Sequence, residues 1–228
     1  DRIRSRRTES MKSQPISAEF TFAHQCGDRA LAFLAAHGKE DFFLVVSYDE
    51  PHGPCLCPPP FDTMYEHYTF PKSANVADTL ADKPAHQRVW AGDFLHSDKA
   101  ALEIRAPAFF GCNSFVDQEI GRVTAAIRRE APDALILYTS DHGDFLLGHS
   151  LYGKGPAAYE EITHIPLLMS GPGLPPGRID PAPVSHIDLP PTIFDLMGLP
   201  IPPVFSGRSL LPRLAGQAVP DSEPVFIE

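Results

Sequence analysis

Ile136-Leu-Tyr-Thr-Ser-Asp-His-Gly-Asp-Phe-Leu-Leu-Gly-His-Ser-Leu-Tyr-Gly-Lys-Gly155 begins as an apolar run and breaks abruptly into Asp, His, Gly and Lys. The apolar part, from Ala134 to Tyr138, has the character of a buried parallel strand, and the polar part falls where such a strand turns into a surface loop. Open α/β folds place their sites at that carboxyl edge. Asp141 and His142 are adjacent oxygen and nitrogen donors, and Gly143 lets the backbone bend around whatever they hold. An isolated Asp-His-Gly word is equally at home in a polar turn with Asp141 as a cap, so the surrounding chain has to decide.

With 228 residues, 43% hydrophobic and 21% charged, the chain is long enough for one sizeable core, and a single α/β domain is expected. A formal net charge of -10 argues against a nucleic-acid partner, which needs excess Lys and Arg at its phosphates. An anionic substrate would therefore need a local island of positive charge. No apolar stretch approaches the length that spans a bilayer, so no membrane partner is expected. Residues 1–16 are Arg-rich and polar and read as an exposed arm, with residues 17–228 forming the domain. Cys26, Cys55, Cys57 and Cys112 lack zinc-type spacing and read as free thiols, which leans the localisation toward the cytoplasm.

Apolar residues at helical spacing over residues 20–34 predict a helix, with Ser17 as N-cap and Gly38 as stop. The run Phe42-Phe-Leu-Val-Val-Ser47 predicts a strand buried on both faces. It ends in Tyr48-Asp-Glu-Pro-His-Gly-Pro54, where flanking prolines stiffen the backbone around His52. Asp49 and Glu50 there are either metal ligands or caps at the rim. The loop from Cys57 to about Lys99 lacks regular periodicity and reads as a lid or substrate wall. Within it His86, Arg88 and Trp90 form a candidate substrate-binding set, with a solvated face as the alternative. An amphipathic helix is predicted from an N-cap at Ser114, with Phe115, Val116, Ile120, Val123, Ala126 and Ile127 on one stripe. Further on, a strand is expected around Ile165-Pro-Leu-Leu-Met169. A short helix from Leu189 should stop at Gly198, with Asp188 as its N-cap, and Val225 should begin another strand.

Taken in order, several words of this sequence resemble the sulfatase family of the alkaline phosphatase superfamily. They are Phe42-Phe-Leu-Val-Val-Ser-Tyr-Asp-Glu-Pro-His-Gly-Pro54, Cys112-Asn-Ser-Phe-Val-Asp-Gln-Glu-Ile-Gly121, Ser140-Asp-His-Gly-Asp144, Gly153-Lys-Gly155, His164-Ile-Pro-Leu167 and Val184-Ser-His-Ile-Asp-Leu-Pro-Pro-Thr192. Each is weak alone; in the family's order across most of the chain they are specific, and they look most like bacterial arylsulfatase-like enzymes. The resemblance implies a mixed, mainly parallel sheet flanked by helices, an alkaline phosphatase-like sandwich held here only in part. It implies that Asp141 and His142 bind a divalent metal, calcium first and Mg2+ or Mn2+ as alternatives. It implies that Lys154 contacts the transferred sulfate and the leaving-group oxygen, with His52 beside that oxygen. The substrate would be a small sulfate ester, or a phosphonate or phosphodiester within the same superfamily.

The family also carries a metal-binding acidic pair, a Cys-x-Pro-Ser-Arg word whose Cys becomes the formylglycine nucleophile, and a Gly-Lys-Trp-His word. None of these occurs in this sequence, and Cys57-Pro-Pro-Pro-Phe61 has no Arg at the fifth place. The chain is thus expected to hold the central part of such an enzyme, without the nucleophile region and the C-terminal subdomain. By itself it should be inactive on esters, as a fragment or as a subunit that needs another segment or a second chain.

Overall fold

The computed structural model describes residues 15–217 together with Val225 and Ile227. Apart from its last two residues, the expected N-terminal arm lies outside the described residues, as does most of the strand expected from Val225. The chain forms two compact units. One runs up to Ala134 and takes in His142–His164; the other joins Leu135–Asp141 to the residues from Ile165 onward.

The first unit is built on two packed helices, α1 (Phe22–His37) and α3 (Pro107–Glu130). Ser17 precedes only a 3-10 turn, Ala18–Phe20, and Thr21 is the N-cap of α1, its hydroxyl accepting from the His24 amide at 3.2 Å. Gly38 ends the helix as expected. The long helix begins earlier than its apolar stripe suggests. Pro107 supplies a first-turn residue with preset φ, whereas Ser114 lies inside the helix and its hydroxyl bonds the Tyr65 phenol at 2.8 Å. The stripe itself is confirmed, since Phe115, Val116, Val123 and Ala126 are buried.

Between the helices the interface carries an ionic knot. Glu119 is 1% exposed and meets His24 Nδ1 at 3.1 Å and the Arg122 guanidinium, which also reaches Asp28 at 2.7 Å. Gly27 leaves room for that carboxylate, because a Cβ there would come within 2.9 Å of Glu119 Oε2. The hydrogen bond from Arg122 holds the Asp28 carboxyl below its ordinary range.

The apolar run at residues 42–47 corrects the expectation of a strand buried on both faces. It is extended, but only Phe42, Leu44 and Val46 pack on the helices, while Phe43 and Val45 are 70% and 71% exposed. A ladder needs a neighbouring backbone, and no described strand lies alongside this one. The region after Cys57 is also more regular than its sequence suggests. It contains α2 (Ala85–Ala91) and 3-10 turns at Ala74–Ala77 and Gly92–His96. Short helical turns of this length give too few periods to be seen in an apolar pattern.

In the second unit, β1 (Ile136–Thr139) pairs with β2 (Leu167–Ser170), Ile136 opposite Ser170 and Thr139 opposite Leu167. The pairing is antiparallel, and it is the only sheet among the described residues, so the fold is α/β but the mainly parallel sheet is not formed within them. Apolar runs specify burial, not strand direction. Helix α5 (Leu189–Leu196) ends before Gly198, whose φ of +67° suits glycine. Asp188 precedes it, yet makes no side-chain bond to that helix. Instead its carboxylate accepts from the Ser185 and Arg208 amides, both at 2.9 Å, and so pins two loops. A last turn, α6 (Leu211–Leu214), carries Arg213, which meets Asp180 at 3.1 Å. No helix of the described residues is long and apolar enough to cross a membrane.

Candidate active site

His142 and Lys154 lie at the two ends of the loop that follows β1. His142 Nδ1 lies 2.8 Å from the Gly143 carbonyl, an acceptor only, so this nitrogen carries the proton. Nε2 then presents its lone pair, and the Lys154 ammonium donates to it at 2.6 Å. An outer-shell carbonyl on Nδ1 is the arrangement that prepares Nε2 to bind a metal. The lone pair that accepts from Lys154 is the one a divalent ion would take, so His142 fits the ligand role. Asp141, the preceding residue in the chain, belongs to the second unit.

The loop is held by close backbone contacts. The Gly143 amide donates to the Ile162 carbonyl at 2.9 Å, and a Cβ on Gly143 would come within 2.0 Å of the Glu161 carbonyl oxygen. Glycine is therefore required here by close approach, not only by bending. Ile162 and Glu161 belong to α4 (Glu160–Thr163). Across the loop the Phe145 amide donates to the Gly153 carbonyl at 2.9 Å, next to Lys154. Burial pushes the Asp144 carboxyl up, against the Leu146 amide that donates to it.

The indole of Trp90 lies on Gly155, where a Cβ would meet it at 2.5 Å, and packs edge-on against Phe145 with centroids 5.3 Å apart. His86 Nε2 is 3.3 Å from the Pro156 carbonyl. Trp90 and His86 thus flank the residues just past Lys154. Arg88 is placed otherwise: its guanidinium donates to the Leu80 and Lys83 carbonyls, both at 2.8 Å, and so closes the turn before α2. His52 is exposed, its amide bonded to the Asp49 carbonyl and its Nδ1 3.0 Å from the Gly53 carbonyl, which likewise leaves Nε2 as the acceptor. Of its neighbours, Glu50 is a cap, since Oε1 accepts from the Ala23 amide at 2.9 Å in the first turn of α1. Tyr48 is pushed up to about 12 by burial and, next, by the Glu119 carboxylate.

A cluster that the sequence does not announce lies at the tip of the loop. His149 Nδ1 is 2.8 Å from Asp78, Nε2 is 3.1 Å from the Asn75 amide, and the ring stacks on Tyr159 at 3.9 Å. Burial pushes the Asp78 carboxyl up, but hydrogen bonds from His149 and the Leu80 amide outweigh it and leave the group below its ordinary range. The partners stand 71 and 74 residues away in the chain, and no local pattern links them.

A family model described as Sulfatase matches residues 4–199. The chain belongs to the sulfatase family. It is 37% identical over 223 residues to the uncharacterized sulfatase YidJ of Escherichia coli (strain K12), covering 96% of this chain and 44% of that protein. It is 33% identical to the choline-sulfatase of Rhizobium meliloti (strain 1021), covering 83% of this chain and 38% of that one. Its fold is similar to that of the phosphonate monoester hydrolase SpPMH from Silicibacter pomeroyi. There the TM-score is 0.72 and the identity 30%, over 91% of this chain and 44% of that one. The chain therefore spans less than half the length of each of these three proteins.

Proposed function

We propose that the protein is a metal-dependent hydrolase of sulfate esters, and that this chain supplies Asp141 and His142 to a divalent-ion site and His52 and Lys154 to the leaving-group side. The observation that carries the reading is the 2.6 Å contact between Lys154 Nζ and His142 Nε2, which puts a cation beside a nitrogen prepared as a ligand. Membership of the sulfatase family and likeness to the choline-sulfatase support the sulfate ester as substrate class.

A bound divalent ion would polarise the non-bridging oxygens of the ester and offset their developing charge. Calcium is the first choice, with Mg2+ or Mn2+ as alternatives, and Asp141 and His142 fill only two of the roughly six to eight positions calcium takes. Lys154 donates a proton or a hydrogen bond to the oxygen that departs as the sulfur–oxygen bond breaks, and His52 acts beside it. This local positive charge is what an acidic chain of net charge -10 needs for an anionic substrate. His86 and Trp90, which flank the Lys154 loop, form the wall nearest the leaving group. The attacking group is expected from the family's Cys-x-Pro-Ser-Arg word, which this sequence lacks.

The test is metal removal and replacement on the native protein. Chelation should abolish sulfate ester turnover and calcium should restore it, with Asp141→Asn and His142→Ala abolishing the response; full activity in chelator would overturn the reading. The likeness to SpPMH favours a second reading, a phosphonate monoester or phosphodiester hydrolase using the same groups.

A further inference from the structure

We propose that His149 is a positioning residue: by holding Asp78 directly and Glu161 through the Asn75 amide, it fixes the loop that brings His142 to Lys154. Its backbone requires such a clamp. Leu146, Leu147, His149 and Ser150 all have positive φ, between 41° and 71°, without being glycine, and such conformations persist only where surroundings over-determine them. The clamp is visible on each side of the ring. Nδ1 is 2.8 Å from Asp78, and Nε2 accepts from the Asn75 amide at 3.1 Å, with Glu161 Oε2, a buried oxygen without a hydrogen-bond partner among the described residues, 3.7 Å beyond it. Asn75 joins the second side, its amide reaching both the ring and Glu161 Oε1, while the Ser150 hydroxyl donates to the Val76 and Asp78 carbonyls.

Two short paths lead from this clamp to the pair. Through Glu161 it reaches α4, whose backbone touches Gly143 at its missing Cβ and accepts the Gly143 amide. The Gly143 carbonyl is in turn the acceptor of His142 Nδ1–H, so a shift of α4 reorients the imidazole. On the other arm the Leu151 amide donates to the Gly148 carbonyl at 2.9 Å, and the Phe145–Gly153 bond closes the loop beside Lys154. A residue that only filled space could be replaced without changing the tautomer of a ring seven positions away. A positioning residue could not.

The inference builds on the roles proposed above for His142 and Lys154, but its test uses neither metal nor substrate and so stands or fails independently of them. The chain is labelled with 15N-histidine and the ring nitrogens and ring N–H of His142 are followed by NMR in His149→Gly and His149→Asn. Glycine adopts the backbone of residue 149 without strain but has no ring. Asparagine tolerates the same backbone and keeps a donor toward Asp78. In His149→Gly we expect a folded protein in which exchange protection of the His142 Nδ1–H falls by about tenfold or more, with Nε2 losing its Lys154-bonded shift. His149→Asn should restore both signals. A folded glycine variant with wild-type His142 signals would overturn the proposal, as would equal loss in both variants. A glycine variant that no longer folds would also contradict it, because the ring would then hold the unit together instead of orienting one pair.

Discussion

The Lys154 ammonium donates to His142 Nε2 at 2.6 Å while His142 Nδ1–H donates to the Gly143 carbonyl at 2.8 Å. One imidazole is thereby fixed in orientation and tautomer by groups on either side of it. On the proposed function, that cation would offset charge building on a departing oxygen.

Lys154 is expected to act mainly in the transition state. Lys154→Ala should lower kcat on a sulfate ester by about 10²–10³-fold, the usual cost of removing one preorganised donor, with a smaller change in KM. Steady-state kinetics check this, and an unchanged kcat would remove Lys154 from the chemistry.

Gly143 tests the close packing of the loop on α4. A Cβ there would lie 2.0 Å from a backbone oxygen that no side-chain rotation can move. Gly143→Ala should displace His142 by a distance on the order of 1 Å and reduce kcat about 10²-fold while the protein stays folded. Kinetics together with circular dichroism separate this from simple unfolding.

The ionic knot between α1 and α3 should matter for stability and not for chemistry. Glu119→Ala leaves the Arg122 and His24 groups without their buried carboxylate and opens space in the interface. The expected loss is about 3 kcal/mol by urea unfolding, as for other broken buried pairs.

Acid should loosen the first unit through Asp28 and Asp78. Asp28 and Asp78 both have folded pKa values held below their ordinary value of 3.8. A carboxyl depressed by folding contributes stability that is fully present above the unfolded pKa and is lost as pH falls through the folded value. The thermal midpoint should therefore stay level down to about pH 4 and drop below it, and Asp78→Asn should flatten part of that drop.

How far the sequence could be read depends on the range of the interactions involved. Helices α1 and α3 are legible because an amphipathic stripe repeats locally, and Gly198 and Pro107 punctuate the chain at their own positions, although Ser114 is an equally good N-cap residue by type. The loop bearing His142 and Lys154 was legible because its polar residues are crowded into one stretch. Strand direction was not, since Ile136–Thr139 would look the same beside a parallel or an antiparallel neighbour. Exposure of Phe43 and Val45 was hidden for a similar reason: apolar residues report a preference for cover, not what provides it. Arg88 read as a substrate cation because its two carbonyl partners, Leu80 and Lys83, carry no signal in their side chains. His149 carries no signal in the sequence because Asp78, Asn75 and Glu161 come together only in the folded unit.

Whether these groups serve a sulfate ester hydrolase is decided most directly by the rates of the native protein on an aryl sulfate and on an aryl phosphonate monoester of the same leaving group. A higher kcat/KM is expected on the sulfate. A higher kcat/KM on the phosphonate would contradict it.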